Sequence, residues 1–210
     1  MLVLPDQSRQ IARLFSFLML GERLAHDCAA QQEAITSDAS VRRFLSAQAR
    51  QEGFHAQVFQ KAIIWLAPRG INRSPGFAPI EHYRKLIQDA IRREDFTETL
   101  LAQQVILEGL GVVILNRISM GIDRRGLGFN RIRRLLMNQE HAHYQFGLRQ
   151  LEQILASGDA SAGMLQQRGR EYLGLTDVMF DALADLFDSF NEDSAVYRSE
   201  HRRHLPQWLT

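Results

Sequence analysis

The sequence predicts an all-α protein, a four-helix bundle with additional C-terminal helices, and three observations predict it. Prolines stand only at 5, 68, 75, 79 and 206, so the long segments between them lack the residue that most reliably breaks a helix. Apolar residues make up 45% of the 210, enough to bury one sizeable core. Two segments, "RQEGFH" at 50–55 and "NQEHAH" at 138–143, repeat Glu-x-x-His, a spacing that sets both side chains on one helix face.

The elements follow in order. A first helix runs from Ser8 to about Thr36, and "SDAS" at 37–40 supplies turn residues and the N-cap of a second helix ending at Pro68. The stretch "PRGINRSPGFAP" is long enough to cross the end of a bundle instead of making a tight hairpin. A long helical region from Glu81 to about Met120 comes next, with "RREDF" as the place for a break. "GIDRRGLGFN" reads as a loop leading into a helix from Asn130 to about Ala156. "SGDASAG" then precedes a fifth helix at roughly 162–190, and a polar tail bearing His and Arg lies beyond it. We expect a single domain over 1–210, with its core bundle at about 8–157 and accessory helices at about 160–205.

Composition excludes several classes. A formal net charge of +1, from 25 basic and 24 acidic residues, provides no global field for nucleic acid or an anionic membrane. The single cysteine, Cys28, rules out an internal disulfide framework and a Cys-based zinc or iron–sulfur site within one chain, and reads as a small packed residue. Asp6, Arg9 and Arg13 interrupt the N-terminal apolar runs, and no later stretch reaches about 18 uninterrupted apolar residues. The expectation is a cytoplasmic protein with no membrane span.

Glu52 with His55, and Glu140 with His143, can each present an oxygen and a nitrogen to one point. Such a pair is half of a metal site, and facing helices of a bundle can supply the rest. Glu22 lies among Phe15, Leu18, Met19 and Leu24, and Glu108 stands alone in the apolar run "QQVILEGLGVVIL". A carboxylate in so apolar a helix is costly unless it is paired or binds a metal. Composition alone gives roughly 0.4 Glu-x-x-His matches in such a chain, so two matches suggest a site without deciding it. The order decides: Glu22, Glu52-x-x-His55, Glu108 and Glu140-x-x-His143 come one contribution from each of four successive long helices. Bundles that hold two iron or manganese ions use this pattern.

The segments "GERLAHD", "QEGFHAQVF", "QQVILEGLGVVILNR" and "QEHAHYQFGLRQL" resemble the ferritin-like di-iron carboxylate superfamily over roughly residues 8–157. Within it they look most like the aldehyde-deformylating oxygenases, through the third-helix Glu in an apolar run and the His-aromatic-x-Phe-Gly sequence after the last ligand. The resemblance implies that Glu22, Glu52 and His55 serve one iron and Glu108, Glu140 and His143 the other, with Glu52 and Glu140 bridging. It implies a non-haem di-iron oxidoreductase, an oxygenase that activates O2 to oxidise a small, apolar organic substrate as a monomer or dimer. Manganese or a mixed Mn/Fe pair fits the same ligands. The alternative is a ferroxidase or other iron-handling protein, or a rubrerythrin-like peroxidase, without an organic substrate. No residue beyond the ligands is assigned a catalytic role.

Other residues carry two readings each. His26, at i+4 from Glu22, is a ligand or, more in keeping with its position, a supporting or structural residue. His141 points about 100° away from Glu140 and reads as exterior or interhelical, while His82, His201 and His204 are assigned nothing. Gly109 and Gly111 serve close helix packing, or mark a cavity or π-bulge beside the metals. Phe15, Met19, Phe54, Val105 and Leu115 are core, or line an apolar channel. Arginines 124, 125, 131, 133 and 134 form a solvated face, or a docking patch for an acidic, ferredoxin-type electron donor. A transfer-RNA substrate has little support in a nearly neutral chain.

Overall fold

The computed structural model describes residues 7–71, 77–124 and 130–209, with 121–124 and 130 described by backbone alone. Every regular element among the described residues is helical: α1 (Ser8–Ile35), α2 (Ala39–Leu66), α3 (Phe77–Arg92), α4 (Phe96–Leu100), a π segment (Leu101–Leu107), α5 (Glu108–Arg124), α6 (Asn130–Ser157), α7 (Ala162–Ala182), α8 (Ala184–Ser189) and α9 (Ser194–His204). The protein is an all-α helical bundle.

Local chemistry sets the boundaries. Asp38 caps α2 by accepting from the backbone N–H groups of Ser40 and Val41 at 2.6 and 3.0 Å, which satisfies donors the first turn leaves open. The three-residue link before it folds α2 back along α1, and these two helices make the most extensive pairing in the molecule. α3 begins at Phe77, four residues before the expected Glu81, because Pro79 falls in the first turn, where its missing N–H needs no partner. "RREDF" does break the chain. Glu94 takes the left-handed conformation at φ 54°, and Asp95 caps α4 by accepting from the Glu98 N–H at 2.9 Å. From Phe96 the chain then winds as one rod through α4, the π segment and α5.

Three other expectations are corrected. α5 continues to Arg124, into the stretch read as the loop "GIDRRGLGFN", whose residues 125–129 lie outside the described residues. The fifth helix stops at Ala182 and a short α8 follows. The polar tail is a helix, α9, capped by Asp193 and burying Tyr197 and His201. Its arginines conceal this role in sequence, because Arg198 and Arg202 bind Asp181 and Asp177 of α7 while the opposite face packs inward.

The α4–α5 rod supplies the centre of the core, and Leu100, Leu101, Val105, Ile106, Val112 and Ile114 are completely buried. Phe96–Met120 is long and apolar enough to cross a membrane by composition, but 94% of its most apolar window is covered by the rest of the bundle. α6 packs along the π segment and α5, while α7 and α9 close the other side.

Candidate metal centre

Four elements bring Glu22 (α1), Glu52 and His55 (α2), Glu108 (the first residue of α5) and Glu140 and His143 (α6) into one buried cluster. Their ligating atoms form two groups, Glu22–Glu52–His55–Glu140 and Glu52–Glu108–Glu140–His143, each with its atoms within 4.8 Å of one another. Glu52 and Glu140 belong to both groups. Each group offers three carboxylates and one imidazole, a set that suits a divalent cation of the iron or manganese kind.

Each histidine turns Nδ1 into the cluster. His55 Nδ1 lies 2.9 Å from Glu140 Oε1 and 3.2 Å from oxygens of Glu22 and Glu52, and His143 Nδ1 lies 2.8 Å from Glu52 Oε1. One ring nitrogen cannot bind three carboxylates through a single proton, so these lone pairs converge on a space suited to a cation. Glu52 Oε2, Glu140 Oε1 and His143 Nδ1 are buried without a hydrogen-bond partner. The outward nitrogens are held crosswise: His55 Nε2 meets Gln139 Oε1 at 2.8 Å, and His143 Nε2 meets Gln51 Oε1 at 2.7 Å. Amide oxygens only accept, so each Nε2 carries the proton and each Nδ1 is left to ligate. The sequence reading left these partners unnamed. Their signal is the Gln that precedes Glu in both motifs, each one serving the histidine of the other.

The electrostatics of the cluster's own side chains follow from burial. Burial pushes the Glu22 and Glu108 carboxyls well above the ordinary carboxylate range, with Glu140 adding to the effect at Glu22 and Glu52 at Glu108. Burial acts the same way on Glu52, yet His143 and His55 hold it well below that range. For His55, burial opposes the charged form, but Glu140, Glu22 and Glu52 raise it far above an ordinary imidazole. Among the described residues the ion-pair partners of the Glu22, Glu52 and Glu140 carboxylates are the two histidines. Two divalent cations would balance the four carboxylate charges and displace the protons. The residues present therefore fit a two-metal site.

No protein-family model and no curated protein matches this sequence. The π segment is the most specific part of the site's geometry.

The wide turns of Leu101–Leu107 end where the Glu108 backbone N–H reaches back to the Gln103 carbonyl, so the π segment sets the register at which Glu108 enters the cluster. The segment also presses Gln104 against α6 at Gly147, where an added Cβ would stand 2.4 Å from Gln104 Cβ and 3.1 Å from its backbone carbon. Only glycine fits there, which explains the Gly of "HYQFG". By contrast, a Cβ at Gly109 would meet Tyr144, Leu205 and His201 at 3.5–3.7 Å and one at Gly111 would meet Glu140 at 3.7 Å, ordinary contact distances. The π turn thus lies just before the glycine pair, and the glycine that the fold requires is on the facing helix.

The remaining residues separate clearly. His26 is exposed, and its Nδ1 bonds the Ala49 carbonyl at 2.7 Å outside the cluster. His141 is exposed and bonds the Met137 carbonyl. Phe54 faces solvent while Val105 is fully buried, and Phe15 packs on Phe59 with ring centroids 5.4 Å apart. A surface groove of about 240 Å³ between α1 and α2 is lined by Arg23, His26, Gly53, Ala56, Gln57 and Gln60, none of the five residues assigned to an apolar channel. Arg131 and Arg134 are exposed at the start of α6, and Arg133 reaches back to the Ser119 carbonyl at 3.2 Å. The Arg124 side chain and Arg125 lie outside the described residues.

Proposed function

We propose that this chain is a ferritin-like di-iron carboxylate protein, an oxygenase that uses two irons and O2 to oxidise a small, apolar organic substrate, with aldehyde deformylation the nearest named activity. The observation that carries the proposal is the sharing of Glu52 and Glu140 between two four-residue ligand groups. Separate mononuclear sites would have no need of common carboxylates. Glu22 and His55 complete one position, and Glu108 and His143 the other. Two adjacent ions, when bound, supply the electrons that O2 reduction needs. The chain's own part is positional. Gln51 and Gln139 fix the imidazole tautomers, burial excludes water from the carboxylates, and six ligands over two positions leave coordination open.

The test is anaerobic loading with Fe(II), metal analysis, and exposure to O2, on the wild type, Glu108→Ala and His143→Ala. Two irons per wild-type chain, fewer in both variants, and an O2-dependent absorbance change would support the reading, and turnover of aldehydes and other apolar compounds would define the substrate. Oxidation of added Fe(II) with no organic product would assign iron handling instead. Equal metal content in all three proteins would remove the site.

A further inference from the structure

The carboxylates are not the only polar groups in the core. Gln32, Gln48, Gln103 and Gln104 are each at most 1% exposed, and three of them form a ladder ending on the cluster. Gln48 Nε2 donates to Glu108 Oε1 at 2.9 Å and to Glu52 Oε1 at 3.2 Å, and its Oε1 accepts from Gln104 Nε2 at 3.2 Å. Gln104 and Gln32 exchange both amide bonds, at 2.7 and 3.0 Å, and Gln32 also donates to Thr99 Oγ1 at 3.1 Å. The direction of the ladder is forced. With cations bound, Glu52 and Glu108 would be ionised and could only accept, so Gln48 must present its NH2 to them, and Gln104 satisfies the oxygen left behind.

We infer that Gln48 is a positioning residue for the second metal position, clamping Glu108 to Glu52 with one amide whose orientation the Gln104–Gln32 pair locks. This rests on the two-metal reading of the site. Glu108 belongs only to the group containing His143, and the oxygen of the shared Glu52 that Gln48 holds is Oε1, the one 2.8 Å from His143 Nδ1, while Oε2 faces His55, so the clamp acts on that position. Gln103 Nε2 adds a second donor to the same oxygen of Glu108 at 3.0 Å. Two amides on Oε1 would leave Oε2 as the Glu108 oxygen available to a cation.

Gln48→Met keeps the length and volume of the side chain and removes both donors. The probe is Co(II), titrated against a competing chelator, with binding read by its visible absorption and by metal analysis. Wild type is expected to bind two Co(II) per chain, and His143→Ala identifies the step belonging to the second position. Gln48→Met should weaken that step about tenfold, as loss of a group that orients a ligand commonly does, and leave the other within about threefold. Unchanged binding at both steps, or an equal loss at both, overturns the inference and leaves the two-metal reading standing. A wild type that binds no Co(II) overturns both. If Gln48→Met fails to fold, Gln104→Met takes its place, because it leaves the Gln48 donors but frees their orientation. It should weaken the same step about threefold, and no change there would be decisive against the clamp.

Discussion

Gly147 and Gly174 lie in long helices and answer to different physics. At Gly147 a methyl group would stand 2.4 Å from Gln104 Cβ, an atom fixed by the backbone that no side-chain rotation can move away. Gly147→Ala should therefore destabilise the fold by about 1–3 kcal/mol and displace the π segment that sets Glu108. At Gly174, exposed on α7, an added Cβ meets nothing within 4 Å, so Gly174→Ala should stabilise by about 0.5–1 kcal/mol. Denaturant unfolding of the two variants beside the wild type tests both signs. In sequence the two glycines look alike, because what distinguishes them is a neighbour forty-three residues upstream of one of them.

At the scale of elements, α9 is the piece that sequence reading underestimated, and His201 shows why it is held. Its Nε2 bonds the Ile106 carbonyl of the π segment at 3.0 Å, and the side chain is completely buried. The neighbouring Tyr144, one residue after His143, donates to the His204 carbonyl, so α9 is tied to both the π segment and α6. Burial lowers the His201 pKa from the usual 6.5 to about 4, with Arg202 and His204 acting in the same direction and the Ile106 bond opposing it. Between those values the folded chain binds fewer protons than the unfolded chain. Stability present above about pH 6.5 is therefore lost as pH falls towards 4, by about 3 kcal/mol from this group. Unfolding midpoints of wild type and His201→Gln across pH 4–8 should converge at the acid end. Parallel curves would show that the ring is not what titrates.

For the whole molecule, metal binding at the proposed site would be one equilibrium with folding, because the four carboxylates meet only when α1, α2, α5 and α6 have packed. A cation that binds the folded chain alone at a hundred times its dissociation constant adds about 2.7 kcal/mol. Added Fe(II) or Mn(II) should raise the unfolding midpoint, a chelator should reverse the rise, and Glu108→Ala should reduce it. If the proposed oxygenase draws electrons from an acidic, ferredoxin-type donor, the docking belongs to this scale too. Arg131 and Arg134 lie exposed on α6, so replacing both with Glu should slow ferredoxin-supported turnover at low salt and matter little at high salt, where the field is screened. A salt-independent rate in the variant would place the docking surface elsewhere.

Most of the long helices, and the six Glu and His side chains that meet in the buried cluster, were legible in the sequence. Helical period, proline placement and capping residues are local properties, and a carboxylate isolated in an apolar run advertises an unmet need for a partner. Tertiary structure alone decided how those residues are supported. The crossed Gln51–His143 and Gln139–His55 pairs, the amide ladder through Gln48, and the collision that keeps residue 147 a glycine all join helices far apart in the chain. The π segment and α9 belong with them. A π turn has no strong local propensity and persists because α6 and α9 pack against it, and α9 reads as a polar tail until α7 supplies the aspartates that pair with its arginines.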